Sequence, residues 1–223
     1  RLVAKTTCSS GTRSGSFTRG AGNTLFVCNS ATRITFGSLT LTNMTASGGS
    51  GATDPNSFTI HGNHGSTIGT VTVGAGGLTL DNSRLNLRFG GGVNVGSRLI
   101  LNGNVTTVGS APSLIIAETL SGTSGIAEVQ LSGTAGAATR TFNIGASANL
   151  TVDTAITNGA ATPGSLTKTG LGTLIFPAPN VYTYTGLTDV AGGTLVVNGS
   201  LASNTIVRSG ASLMGTGVIT GTV

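Results

Sequence analysis

Residues 166–197 read LTKTGLGTLIFPAPNVYTYTGLTDVAGGTLVV, and this stretch decides the fold. Thr or Gly stands at nearly every second position, and Lys168 and Asp189 are the only charged residues in it. Short alternating runs of apolar and polar residues, interrupted by Gly and Pro, are typical of strands separated by turns. We therefore interpret the stretch as about one and a half rungs of a β-solenoid.

The composition of the whole chain favours the same interpretation. Glycine accounts for 37 of the 223 residues and charged residues for 8%, against about 25% charged residues in an average globular protein. Hydrophobic residues make up 38%, which is too many for a disordered linker. Gly, Thr, Ser and Asn are poor helix formers. Alternating runs recur at SLTLTNMT (38–45), TVTV (70–73), LTLDNSRLNLRF (78–89) and NLTVDTAI (149–156). We expect an all-β chain of many short strands.

The spacing of apolar anchors predicts the length of a repeat. One anchor marks each clear strand: Leu80, Leu101, Ile116, Leu131, Leu150, Leu174, Leu195 and Leu213. These anchors lie on average about 19 residues apart, which matches three short strands and their turns. No single unit of this size can bury its apolar side alone, so the units must stack. The prediction is a parallel β-helix with coils of about 19–20 residues.

Residues 165–223 resemble the autotransporter-associated β-strand repeat of bacterial passenger domains. Three blocks of the repeat pattern are matched, by Leu166, Lys168, Gly170, Gly172, Thr173 and Leu174, by Asn180, Tyr184, Thr185 and Gly186, and by Val190, Gly193, Thr194 and Leu195. The chain departs from the pattern at Phe176, Pro177, Pro179 and Met214, and has two extra residues before Tyr184. The resemblance implies a right-handed β-helix that is secreted or displayed on a Gram-negative-type cell, and it transfers no catalytic residue.

The positive charge is concentrated at the start of the chain. The net charge is +5, and the only charged residues before Asp54 are Arg1, Lys5, Arg13, Arg19 and Arg33. Such a segment suits an anionic envelope, a cell-surface glycan or an acidic partner, or it is a solvated patch that aids solubility. Nucleic acid is disfavoured because the segment shows no recognised motif and little aromatic interleaving.

The two cysteines, Cys8 and Cys28, are separated by the length of one predicted coil. Neighbouring coils lie about 4.8 Å apart, within the Cα separation of a disulfide. An even number of cysteines in such a chain favours a disulfide formed in an oxidising compartment. Two buried free thiols are the alternative.

Few residues suggest chemistry. His61 and His64 with Asp54 lack the third or fourth ligand of a typical metal site, and a polar turn with two solvent-exposed histidines is the simpler interpretation. Among the six carboxylates, Asp54 with Asp81, or Glu118 with Glu128, could meet on neighbouring coils as a glycosidase pair does. Sugar-stacking aromatics are limited to Phe176, Tyr182 and Tyr184. We predict no enzyme activity, no cofactor and no metal.

The ends of the solenoid are the remaining candidate feature. Both ends read as strand and turn with no polar cap, and open strand edges invite pairing with other chains. We expect one solenoid over residues 1–223, divided into 1–53, 54–164 and 165–223. The opening residues lack the apolar stretch of a signal peptide, which leaves a processed product, an excised fragment or a cytoplasmic protein. The cysteines and the composition favour the first two.

The predicted role is a structural protein that polymerises head-to-tail into an extracellular filament or adhesive surface structure. The alternatives are a monomeric passenger fragment that binds a glycan or host surface, and a β-helical enzyme that processes polysaccharide. The sequence contains no apolar run long enough to cross a bilayer as a helix, so no membrane-spanning helix is expected.

Overall fold

The described part of the chain winds into a parallel β-helix. The computed structural model describes residues 6–7, 11–12, 16–19, 26–29, 33–46, 56–63, 68–89, 95–119 and 125–223. Within these ranges every regular element is a β-strand, and every strand pairing is parallel. The predicted all-β parallel solenoid is therefore confirmed.

The strands form three faces that run along the solenoid axis. Face A is a nine-stranded sheet of β1 (Thr6–Thr7), β4 (Phe26–Asn29), β7 (Phe58–Asn63), β10 (Arg84–Phe89), β13 (Ser113–Thr119), β16 (Asn149–Asp153), β19 (Thr173–Phe176), β22 (Thr194–Val197) and β25 (Ser212–Met214). Face B begins with a six-stranded sheet of β2 (Gly11–Thr12), β5 (Arg33–Phe36), β8 (Ile68–Val73), β11 (Gly96–Leu101), β14 (Ile126–Gln130) and β17 (Ala155–Thr157). It continues in a three-stranded sheet of β20 (Val181–Tyr182), β23 (Ser200–Leu201) and β26 (Val218–Ile219). Face C is an eight-stranded sheet of β3 (Ser16–Arg19), β6 (Ser38–Thr42), β9 (Leu78–Asp81), β12 (Val105–Val108), β15 (Gly136–Ile144), β18 (Ala161–Thr169), β21 (Thr188–Val190) and β24 (Thr205–Val207).

One coil consists of one strand from each face, so within a sheet each strand pairs with the third strand after it. The predicted coil length holds toward the two ends, where Thr6 pairs with Phe26 and Thr173 pairs with Thr194. The middle coils are longer, since Arg84 pairs with Leu114 and Ser113 pairs with Leu150. The uniform coil length that the anchors predict is therefore wrong for the middle of the solenoid.

The anchor spacing gave the wrong coil length because strands of all three faces have the same sequence pattern. Leu80, Leu101 and Ile116 lie on β9, β11 and β13, so the steps between them pass from face to face rather than from coil to coil. Each face turns alternate residues inward, so an apolar anchor recurs three times in each coil. Only Leu150, Leu174, Leu195 and Leu213 follow one face, where they pair in register on β16, β19, β22 and β25.

The core is a set of aliphatic ladders along the axis. Leu150, Leu174 and Leu195 are fully buried and stacked in register on face A. Burial of each such side chain is worth about 1.5–3 kcal/mol, but only when a neighbouring coil covers it. Each coil therefore depends on its neighbours for stability, as in other solenoids.

Candidate functional site

The most chemically distinctive side chain of the repeat segment, Lys168, points into the solenoid. It lies on β18 with no exposed surface, and its Nζ donates hydrogen bonds to the carbonyl oxygens of Thr169 (2.8 Å), Gly170 (2.8 Å) and Gly192 (2.9 Å). Burial lowers the pKa of Lys168 to about 8. The ammonium thus joins the turn that ends β18 to the corresponding turn of the next coil.

Two glycines of the same motif are required by backbone geometry. Gly170 has φ of +73°, a conformation that residues with a Cβ rarely adopt. A Cβ on Gly172 would overlap the carbonyl oxygens of Gly145 and Ala148 on the preceding coil. The Gly-x-Gly spacing therefore serves close stacking of coils.

Both tyrosines of the chain are core residues, so their predicted availability for sugar stacking is wrong. Tyr182 stacks on Phe176 with ring centroids 4.1 Å apart, and its hydroxyl donates to the Val152 carbonyl oxygen at 2.8 Å. The Tyr184 hydroxyl shares a hydrogen bond of 2.6 Å with Thr188. All three aromatic side chains have no exposed surface. Burial raises the pKa of Tyr184 to about 12 and also raises the pKa of Tyr182, with a smaller contribution from the Asp153 charge.

The other motif residues also hold the coils together. Asn180 donates through Nδ2 to Asp153 at 2.7 Å, and Gly186 donates its N–H to the Gly164 carbonyl oxygen at 2.8 Å. The aliphatic members Leu166, Leu174, Val190 and Leu195 are fully buried. Thr173 and Thr194 face outward and pair in register, and Gly193 has φ of +64°.

Asparagines at the turns bond to backbone groups of the next coil, and we name these contacts the asparagine bracket. The Oδ1 atoms of Asn158, Asn198 and Asn204 accept backbone N–H groups of Thr185 (2.9 Å), Thr216 (3.1 Å) and Thr222 (2.9 Å), each on the next coil. The sequence favours Asn at turns for its tolerance of left-handed backbone, and it predicts outward Asn side chains that bond along the axis, but it does not show which N–H groups these three asparagines accept. The available signal was the recurrence of Asn directly beside a short alternating run.

Glu118 and Glu128 are held by arginines rather than by each other. Glu118 forms an ion pair with Arg84, and Glu128 forms one with Arg98 at 2.6 Å. Glu118 and Glu128 belong to β13 and β14, which are two faces of one coil, so their expected meeting on neighbouring coils is wrong. Asp54 lies outside the described residues, so its pairing with Asp81 stays a prediction.

The histidine motif differs from its predicted turn. His61 lies within strand β7 and is largely buried, with Arg88 as its register partner on β10. His64 lies outside the described residues. In the part of the chain that the structure describes, no three His, Cys, Asp or Glu side chains are grouped as a metal site would require.

Most residues of the N-terminal predictions lie outside the described residues, namely Arg1, Lys5, Cys8 and Arg13. Arg19 ends β3, Arg33 begins β5 with an exposed side chain, and Cys28 lies on β4. The described neighbours keep the expected offset, since Thr7 pairs with Val27. The disulfide stays a prediction.

The last described coil carries the most exposed apolar surface. Val207, Met214 and Val218 are all exposed, on β24, β25 and β26. These strands are the outermost members of their sheets among the described residues. Arg208 is the one charged residue of the sequence from 198 onward. It pairs with Asp189 of the preceding coil at 2.9 Å.

Comparison with known proteins identifies the repeat segment. Residues 166–197 match the family model of the passenger-associated-transport-repeat, which confirms the resemblance to autotransporter passenger repeats. Repeats of this family are generally structural and imply exposure outside the cell or at its surface. Neither a curated protein nor a solved structure matches the chain. Over the described ranges, no helix has the length and apolar character needed to cross a bilayer.

Proposed function

We propose that the chain is a non-enzymatic structural protein of the autotransporter passenger type, secreted or held at the cell surface. The observation that carries the proposal is the use of the repeat's polar groups. Lys168, Asn180 and Tyr182 all bond to neighbouring coils or turns instead of facing a ligand. A passenger stalk needs a stiff rod, and these contacts stiffen the solenoid. We propose that the solenoid extends over residues 1–223.

The direct test of this role is a search for enzyme activity on polysaccharides. Depolymerisation assays on uronate and neutral glycans should give no product, because three of the five described carboxylates, Glu118, Glu128 and Asp189, are held by arginines. A fourth, Asp153, accepts a hydrogen bond from Asn180. Release of oligosaccharide by the purified chain, lost on heat unfolding, would reverse the proposal in favour of an enzyme.

The finer part of the proposal is head-to-tail self-association into a filament or adhesive surface structure. A further coil from a second copy can pair with β24, β25 and β26, whose outer edges carry exposed apolar side chains and little charge. Natural sheet edges are usually blocked by charge, especially lysine. A heterologous contact of this kind forms a filament when the rotation does not close.

Lysine placed on the last strands tests the end-to-end contact. The double variant Ile206→Lys with Val218→Lys adds charge on β24 and β26 at exposed positions. The matched control is Val108→Lys with Leu171→Lys, which changes two exposed apolar residues away from the last coil. Electron microscopy and sedimentation should show filaments for the wild type and the control only. If the wild type forms only isolated particles at high concentration, the filament proposal is wrong and the monomeric surface-binding alternative is favoured.

The basic N-terminal segment is the main support for the alternative, a surface-binding role. Arg33 is exposed, and the other basic residues Arg1, Lys5, Arg13 and Arg19 precede it in sequence. This segment would meet an anionic envelope or glycan through charge, because the tyrosines are buried. Salt-dependent retention on an anionic polysaccharide matrix would support it, since exposed charges are screened by salt.

A further inference from the structure

Three Asn-Gly dipeptides occur in the sequence, and each lies between two strands: Asn102-Gly103, Asn158-Gly159 and Asn198-Gly199. Asn-Gly is prone to spontaneous deamidation, because glycine has no Cβ to keep its backbone nitrogen away from the asparagine carboxamide. The glycine nitrogen bonds to Cγ of the asparagine, and the carboxamide nitrogen leaves as ammonia. Water then opens the resulting succinimide ring to aspartate or isoaspartate. These three turns are therefore the candidates for this modification.

The turn at Asn102 holds its carboxamide with one hydrogen bond. Oδ1 accepts the backbone N–H of Gly133, on the next coil, at 2.8 Å. Over the described part of the chain this is the carboxamide's sole hydrogen bond, and the Gly103 N–H donates to no protein acceptor. Gly133 is itself exposed. The two groups that must react are therefore lightly restrained at this turn.

Asn158 is restrained more strongly. Its Oδ1 accepts the N–H groups of Thr185 at 2.9 Å and of Gly164 at 3.1 Å. Its Nδ2 donates to the Thr185 Oγ1 at 3.1 Å. A carboxamide held by three hydrogen bonds must break all of them before it can rotate toward the Gly159 nitrogen.

At Asn198 both reacting groups are engaged. The carboxamide Oδ1 accepts the N–H of Thr216 at 3.1 Å. The Gly199 nitrogen, which has to attack, donates its N–H to the Phe176 carbonyl oxygen at 3.0 Å. Ring closure at this turn therefore requires the loss of a hydrogen bond on each side of the reaction.

A positive charge lies beside the turn at Asn102. Nε of Arg140 donates to the carbonyl oxygens of Leu101 and Leu131, each at 2.7 Å. Leu101 directly precedes Asn102, so the guanidinium lies between the same two coils that the Asn102 hydrogen bond joins. Among the described residues Arg140 forms no ion pair with a carboxylate. Its charge stabilises the anionic oxygen that develops on the carboxamide during attack, and also the carboxylate of the product.

We propose that Asn102 is a site of spontaneous deamidation in the folded solenoid, and that Arg140 accommodates the aspartate product. The reaction needs no partner molecule except water, and it converts a neutral contact between two coils into a charged one. Isoaspartate would add a main-chain atom beside Gly103, where even a Cβ would overlap the Gly74 carbonyl oxygen. Aspartate is therefore the product that the stack retains. The inference does not rest on the structural role proposed above or on end-to-end contact.

Peptide mass spectrometry measures the reaction at the three dipeptides in one sample of the full chain. In denaturant the three should react at similar rates, because glycine follows the asparagine in each. In the folded chain Asn102 should react at least about tenfold faster than Asn158, because the two additional hydrogen bonds of Asn158 must also break. Asn102 should also react faster than Asn198, whose attacking nitrogen is hydrogen-bonded.

A variant that loosens Asn158 tests the cause of the difference. Thr185→Val removes the Oγ1 that accepts from Asn158 and retains the N–H that donates to it. It should raise the rate at Asn158 and leave the rate at Asn102 unchanged. The matched control is Thr183→Val, at an exposed position on the same turn, which should change neither rate.

Denaturant unfolding tests whether the product is accommodated. Asn102→Asp should retain the wild-type midpoint, whereas Asn158→Asp loses the donor to Thr185 and should lower it. The proposal is overturned if Asn158 or Asn198 reacts as fast as Asn102 in the folded chain, or if Asn102 stays intact there while the denatured chain is converted. It is also overturned if Thr185→Val leaves the Asn158 rate unchanged, or if Asn102→Asp lowers the midpoint as much as Asn158→Asp does.

Discussion

Replacing Lys168 by methionine removes the buried ammonium and retains the length and most of the volume of the side chain. Three carbonyl oxygens, those of Thr169, Gly170 and Gly192, then lose a donor at 2.8–2.9 Å. Hydrogen bonds that involve a charged group contribute about 1.5–3 kcal/mol each, so the gross loss is about 6 kcal/mol.

The cost of burying the charge offsets part of this loss. Burial lowers the pKa of Lys168 from 10.5 to about 8, and each tenfold change in ionisation equilibrium is about 1.4 kcal/mol. Methionine relieves this cost, which is about 3 kcal/mol. The net destabilisation expected for Lys168→Met is therefore about 3 kcal/mol.

Denaturant unfolding monitored by tyrosine fluorescence is the suitable assay. The chain has no Trp and two Tyr, Tyr182 and Tyr184, which report directly on the repeat segment. The matched control is Arg208→Met, which removes a charge whose side chain is 55% exposed. Ion pairs at exposed positions contribute little to stability. A Lys168→Met effect no larger than that of Arg208→Met would refute the carbonyl-joining role.

Three further predictions concern the same coils. The pKa of Tyr184 is raised from 10.0 to about 12, so unfolded chains lose this proton before folded ones do. The contribution of Tyr184 to the free energy of unfolding should be constant below pH 10 and fall between pH 10 and 12. Tyrosinate absorbance that titrates near 10 in the folded protein would contradict this. Gly172→Ala places a Cβ against two backbone carbonyl oxygens and should destabilise the fold by about 1–3 kcal/mol. In the control Gly192→Ala, the new Cβ has no neighbour closer than 3.5 Å, so this variant should be tolerated. Equal denaturation midpoints for the two variants would count against the close approach at Gly172. Asn158→Ala removes the acceptor for the Thr185 and Gly164 N–H groups and should lower the free energy of unfolding by about 1–2 kcal/mol. The control is Asn149→Ala at an exposed site. Equal free energies of unfolding for the two variants would show that the asparagine bracket does not stabilise the coils.

The fold class was accessible from sequence because its cause is local. Alternation in stretches such as SLTLTNMT and LTLDNSRLNLRF directly dictates strands with one buried side. The repeat at 166–197 was recognisable for a similar reason. Its glycines, lysine and asparagine recur at fixed spacing, because each coil stacks on the next in the same way.

Register and coil length were not accessible in the same way. Leu80, Leu101 and Ile116 carry the same local pattern although they lie on three different faces, and nothing in a single strand states which face it joins. Insertions between strands, such as those between the register partners Ser113 and Leu150, change the coil length without changing any strand.

The roles of polar and aromatic side chains were likewise decided by packing. Sequence composition alone left Tyr182, Tyr184 and Lys168 open as surface groups, because their type is usually at least partly exposed. The stacked coils enclose all three, since backbone and hydroxyl groups of adjacent turns satisfy their polar ends. The sequence by itself thus determined that the chain coils, through the two-residue period of its strands. Only the tertiary structure decided which side chains meet across coils, because those contacts join residues far apart along the chain, and no local pattern encodes them.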